Sequence, residues 1–201
     1  MLSRTSRRFT DTYALVAAPR LEENERVLGR DNSKEMVSMV KSIVIPHDES
    51  QRPRLQEMAD IGAFQEAVDG WLELIEAPAI GVTIYVNEAA QRDYAPLNQR
   101  AMALWWLYAV DPMQHPLLCG DVVFSGVSEE NDGGVPELLV RDVFDATKFT
   151  LDARSHSGSF WRETKARFDD VFDAALWCML LTRSVKPGVQ LRVRPYVGTR
   201  T

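Results

Sequence analysis

The residues with the most chemical capacity gather between positions 87 and 121. Asn87 and Glu88 close one apolar run, Asn98 and Arg100 stand at the start of the next helical stretch, and Asp121 opens a further apolar run. Amides in the first turn of a helix lack intrahelical partners and the helix dipole favours a negative group there, so an arginine among them has the chemistry of an anion site. The same five residues can instead fix the loop between strand and helix, and the spacing leaves both readings open. A second group is basic. Arg192 and Arg194 are two apart and project from one face of a strand, with Tyr196 in the same alternation and Lys186 and Arg200 nearby. That face reads as a surface for a small anion or nucleic acid, or as charge guarding an edge strand against aggregation.

Other chemistries find less support. His47, His115 and His156 have no nucleophile at a diagnostic spacing, and Gly-x-Ser-x-Gly is absent. In the run Ser155, His156, Ser157, Gly158, Ser159, the last serine reads as the N-cap of a helix that begins at Phe160. Of two acidic clusters, Glu129 with Glu130 and Asp132 lacks the alternating ligands of a calcium loop, while in Asp169, Asp170 and Asp173 the first and last lie four apart on one face of the long helix and either share a metal or repel across solvent. Cys119 and Cys178 have neither Cys-x-x-Cys nor zinc-ligand spacing and read as buried free thiols of a reducing compartment. Gly120 precedes a strand, whereas a phosphate-binding loop follows one and opens a helix. No catalytic residue, metal or cofactor is therefore assigned.

The elements that must position these residues follow from periodicity. Residues 40–45 are β-branched and stop at Pro46, a strand. Leu55, Met58, Ile61, Phe64, Ala67 and Val68 recur at three- and four-residue spacing and predict one amphipathic helix over residues 54–68, bounded by Gly70. Residues 71–75 and 82–86, separated by Pro78 and Gly81, read as a hairpin. Pro96 fits the first turn of a helix over residues 97–110, on which the adjacent Trp105 and Trp106 point about 100° apart, one inward and one toward a second surface. Residues 121–124 and 137–140 read as strands. A long helix over residues 160–182 carries Trp161, Phe168, Phe172, Ala175 and Met179 on its buried stripe, and its last two turns, apolar nearly all round, should be covered on several sides. Residues 189–197 alternate into a final strand. The sum is an α+β fold: a mostly antiparallel sheet of about five or six strands, with two or more helices packed on one face.

With 201 residues, 45% hydrophobic, the chain is long enough to bury its own core. Residues 1–35 mix charges with few large apolar groups and read as an N-terminal extension, with Met36 and Met39 as alternative starts. Residues 36–201 read as a single domain: a core over 36–142, then a C-terminal helix and strand over 143–201. The apolar stretch near the N-terminus is too short for a signal peptide, and no run approaches the roughly 20 residues of a membrane span. The net charge of −6 is uneven: seven basic and eighteen acidic residues over 36–150, nine basic and five acidic over 151–201. So acidic a middle repels phosphate backbones and leaves nucleic-acid binding to the C-terminal region alone; nucleic acid is not the expected partner.

Five short segments, residues 40–46, 64–73, 85–88, 96–101 and 120–123, resemble in order an uncharacterised domain-of-unknown-function family found in bacteriophages, plasmids and actinobacterial genomes. Asp69 stands where that family commonly has glycine. The resemblance, over about residues 39–127, implies a small accessory protein of a mobile element in the bacterial cytoplasm, and brings no catalytic residues with it. With the aromatics Trp71, Trp105, Trp106 and Trp161 available as interface anchors, the expected function is non-enzymatic binding of a host or defence protein. The alternative is a small anionic ligand or nucleotide, or a modest hydrolase, at the polar group around Asn98 and Arg100.

Overall fold

The computed structural model describes residues 39–108, 117–127, 134–155 and 160–197. Its larger sheet has five strands, antiparallel throughout, in the order β2 (Arg54–Met58), β1 (Val40–Ile45), β5 (Val122–Gly126), β4 (Val82–Asn87), β3 (Leu72–Ala77). β1, β4 and β5 form its buried centre. β2 and β3 are the edges. A second antiparallel sheet has the order β7-β6-β8, with β6 (Phe149–Arg154), β7 (Arg162–Glu163) and β8 (Gln190–Pro195). The α+β class and the antiparallel sheet thus stand as the periodicity implies.

Period-two alternation gives the large sheet two different faces. Ile43, Ile45, Ile84, Val122 and Phe124 join one apolar cluster with Leu104 and Trp105 of α2 (Gln99–Tyr108). The same cluster takes in Phe149 of β6 and Val171 and Ala174 of α4 (Val171–Ser184). On the other face Val44, Met58 and Val123 pack with Phe64, Ala67 and Val68 of α1 (Ile61–Val68). Helices therefore cover both faces, not one: α1 is short and tethered by β2 and β3 to the face that α2 leaves open.

Three assignments change. Residues 54–68 are not one helix; Val40 pairs with Met58 and Val44 with Arg54, so the first third is β2, and only the part that Asp60 caps, accepting from the Ala63 amide at 2.9 Å, is helical. Ladder pairing to a buried central strand outweighs the weaker helical signal of Leu55 and Met58. Residues 137–140 are a helical turn, α3 (Glu137–Val140), continued by a π-type turn over Arg141–Asp145, with Leu139 and Val140 buried side by side rather than alternating. The long C-terminal helix begins eleven residues late, at Val171, where the Asp170 side chain accepts from the Asp173 amide. Residues before it lie along β6: Glu163 pairs with Asp152, and Phe168 exchanges two backbone bonds with Phe149. The buried stripe of α4 is consequently Val171, Ala174, Ala175 and Cys178; Trp161 and Phe168 are off the helix, and Phe172 is half-buried.

The start of α2 also shifts. Asn98, not Pro96, defines it, its Oδ1 accepting from the Ala101 amide at 2.9 Å. Trp105 is buried while Trp106 is half-exposed, as their 100° separation requires. The hairpin of β3 and β4 stands, closed by a short 3-10 turn and by Gly81 at φ 65°.

Candidate functional site

Three of the five polar candidates meet around the chain that leaves β1. The carboxamide Nδ2 of Asn98, fully buried, donates to the carbonyls of Ile45 at 2.8 Å and Gly120 at 3.0 Å while its oxygen caps α2. One side chain thereby ties strand, helix and the approach to β5 together, and all of its bonding capacity but one lone pair is spent inside the protein. Arg100, in the first turn of α2, donates to the carbonyls of Pro46 at 2.6 Å, Asp48 at 2.9 Å and Gln51 at 2.8 Å. Its guanidinium lies 5.8 Å from the Phe172 ring, and its Nε is buried with no hydrogen-bond partner. Asp121 accepts from the backbone N–H of His47 at 2.9 Å and sits 2.8 Å from its Nδ1. The Arg100 guanidinium faces carbonyls and the His47 ring and amide face a carboxylate, so this constellation fastens the 46–51 loop to α2 and to the approach to β5.

Asn87 and Glu88 lie elsewhere, at the end of β4. Asn87 donates to the Asp69 carbonyl at 2.7 Å and accepts from the Ala89 amide at 2.9 Å; Glu88 is exposed, its amide bonded to the Trp71 carbonyl. Asp69 adopts φ 55°, the left-handed conformation that glycine takes most readily, and its backbone N–H donates to the carbonyls of Gln65 and Glu66 to close α1.

Beside the 46–51 loop a cleft of about 590 Å³ opens between that loop, the start of α2, the π-type turn and the start of α4. Glu49, Asp169, Asp170 and Asp173 line it, against Arg52 and Arg100. Partial burial, then the charges of Asp170, Glu49 and Asp169, raise the Asp173 carboxyl above its ordinary value. Adjoining it, an apolar groove of about 360 Å³ runs between α2 and α4, lined by Met102, Trp105, Trp106, Leu176 and Met179 with Arg183 at one end. The last turns of α4 are not covered all round: Trp177 is 49% and Leu180 45% exposed.

On the outer face of the small sheet, Arg192 and Arg194 share the nearly buried carboxylate of Asp152. Burial works against ionisation of Asp152, but the hydrogen bonds and charges of Arg194 and Arg192 outweigh it and hold the carboxyl below its ordinary value. Sequence reasoning overlooked this aspartate, although its position in an alternating strand opposite two arginines was the signal. It also overlooked Asp142, a buried acid that accepts from the Tyr108 hydroxyl at 2.6 Å and pairs with Arg141. Burial and then the Asp142 carboxylate push the Tyr108 hydroxyl far up, so it stays a donor.

Both cysteines are buried free thiols; burial pushes Cys178 up to about 11 and raises Cys119, so burial disfavours the thiolate of each. Among the described residues no group of three or more His, Cys, Asp or Glu side chains is placed to hold a metal ion, and no helix is long and apolar enough to cross a membrane. The N-terminal extension, His115, His156, the cap assigned to Ser159 and the cluster of Glu129, Glu130 and Asp132 lie outside the described residues.

Fold and polar groups together define a two-sheet α+β domain whose buried polar residues fasten its loops and whose open features are a cleft, a groove and a basic sheet face. The chain belongs to the family described as Domain of unknown function (DUF3846), whose model matches residues 40–148. No curated protein and no solved structure matches it.

Proposed function

We propose that the protein acts by binding another protein, a host or defence component in the bacterial cytoplasm, as an accessory product of a phage or plasmid. The observation that carries this reading is the α2–α4 face, where Trp177 and Leu180 stand exposed beside a groove lined by Trp106, Leu176 and Met179. Large apolar residues clustered around a groove are what interfaces use as anchors, and folding of this domain does not require them there. The acidic cleft at one end of the groove and Arg183 at the other give the face a charge gradient, which fits a partner segment that is apolar along its length and basic at one end.

The test is capture from host lysate by the wild-type chain and by a Trp177→Ser, Leu180→Ser variant of equal thermal stability. A protein held by the wild type and lost by the variant supports the reading; equal capture by both removes this face from the function. The cleft supports a second reading, a small-molecule site, because its volume falls within the range of such pockets. A metabolite that copurifies and is displaced by Asp173→Lys would favour it.

A further inference from the structure

We infer that the outer face of the small sheet is a second binding surface, for single-stranded nucleic acid. Arg192 and Arg194 of β8 project there beside Asp152 and Arg154 of β6 and Glu163 of β7. Arg167 joins them, donating to the Thr150 hydroxyl at 2.9 Å and to Glu163 at 2.6 Å. With Arg154, which donates to the Gln190 carboxamide, four guanidiniums stand on this face against two carboxylates. Asp152 serves both Arg192 and Arg194, and Glu163 serves both Arg194 and Arg167, which leaves two positive charges on one small face. Asp152 lies lower than its partner, its side chain 4% exposed against 47% for Arg192, while Glu163 stands level with Arg194 and Arg167.

The aromatic residues are ordered in the same pattern. Two guanidiniums, Arg154 and Arg192, stand over Trp161, each 4.4 Å from its ring centroid, and Arg167 stands 4.0 Å over Tyr196. Two like charges held on one indole repel each other, a cost that a bound polyanion relieves. Phe160, next to Trp161, is 90% exposed and offers a bare ring. Guanidinium planes and an open ring on a flat sheet are the surfaces on which unpaired bases stack, while the arginines reach phosphates. A duplex offers no bare base face to Phe160, and it would bring a second charged strand against a chain in which fourteen basic and twenty-four acidic residues precede position 151. An acidic peptide meets the charge but gains nothing from the ring.

The experiment titrates the full chain with a labelled oligothymidylate of about 20 nucleotides, its duplex and a poly-glutamate of equal charge, over a range of salt. Contacts from Arg154, Arg192 and Arg194 should give a log–log salt slope of about −2, since each phosphate neutralised in a single strand contributes about −0.7. Arg154→Ala should make that slope shallower by about 0.7. Phe160→Ala should weaken binding by about 5- to 150-fold at an unchanged slope, the range for loss of one stacking ring. Both side chains are peripheral, so thermal unfolding should match the wild type. Binding of the Trp177→Ser, Leu180→Ser variant should be unaltered, which separates this surface from the α2–α4 face. No binding at low salt, equal affinity of wild type and Phe160→Ala, or tighter binding of the duplex or of poly-glutamate would each overturn the inference.

Discussion

Gly70 and Asn87 compete for one volume: a Cβ on residue 70 would stand 2.3 Å from Asn87 Nδ2, which donates from that position to the Asp69 carbonyl. The glycine is therefore dictated by a side chain seventeen positions away. Gly70→Ala should cost about 1–3 kcal/mol, the range for overpacking. In an Asn87→Ala background the added methyl meets no carboxamide, and its cost should fall below about 0.5 kcal/mol. A double-mutant cycle in urea measures the difference, and equal costs in the two backgrounds would assign the glycine to backbone freedom instead.

Asn98 is the polar residue on which most of the fold depends. Asn98→Ala removes a helix cap, worth about 1 kcal/mol, and leaves the carbonyls of Ile45 and Gly120 without its two donors, at roughly 1–3 kcal/mol for each that water does not reach. Denaturation should show a loss of about 3 kcal/mol or more. Asn98→Asp keeps the cap but not the donors, so it should recover only the smaller part.

How much of this was legible depended on whether a residue's partner was close in sequence. The strands at residues 40–45 and 82–86 declare themselves through β-branched runs, whereas Pro96 points to a start of α2 slightly ahead of the one that the Asn98 cap sets. The β2 strand does not, because Leu55 and Met58 fit a helical period as well as a ladder; only pairing with β1 decides. The same holds for residues 160–170, where Trp161 and Glu163 alternate as a strand but sit in a stretch whose apolar spacing continues into α4. For the polar candidates, type and position marked Asn98 and Arg100, yet the carbonyls they bind lie at the end of β1, in the 46–51 loop and at Gly120, 22 to 54 residues away. Sequence spacing carries no trace of that loop. Asp152 and Asp142 were missed because a buried acid is recognisable only once its basic or hydroxyl partner is placed beside it.

The shifted register of α4 changes what its aromatic residues do. Phe172 is half-buried against Arg100 and the cleft, whereas Leu104 of α2 is 1% exposed within the main apolar cluster. Leu104→Ala should cost about 2–5 kcal/mol. Phe172→Ala, which leaves an opening that water can fill rather than a closed cavity, should cost no more than about 2 kcal/mol. Thermal or urea unfolding of the two variants ranks them; a larger loss for Phe172→Ala would mean that the cleft is closed in solution.

Asp152 sets the expected response to acid. Its folded-state value is depressed by Arg194 and Arg192 in spite of burial, so the folded state favours the ionised carboxylate more than the unfolded chain does. The stabilisation is fully present above the unfolded value of about 3.9, and it is lost as the pH falls through the lower folded value. Stability measured by urea between about pH 2 and pH 7 should therefore drop at the acid end, with part of that drop owed to this one group. Asp152→Asn should be less stable at neutral pH by about 1–3 kcal/mol, because Arg192 and Arg194 lose a nearly buried counter-charge but stay partly in water. The same variant should also show a shallower acid limb, since the proton-linked part of the loss is already taken. An acid limb identical in wild type and variant would place the linkage on other carboxylates, and an undiminished neutral stability would show that Glu163 alone suffices to hold the arginine face.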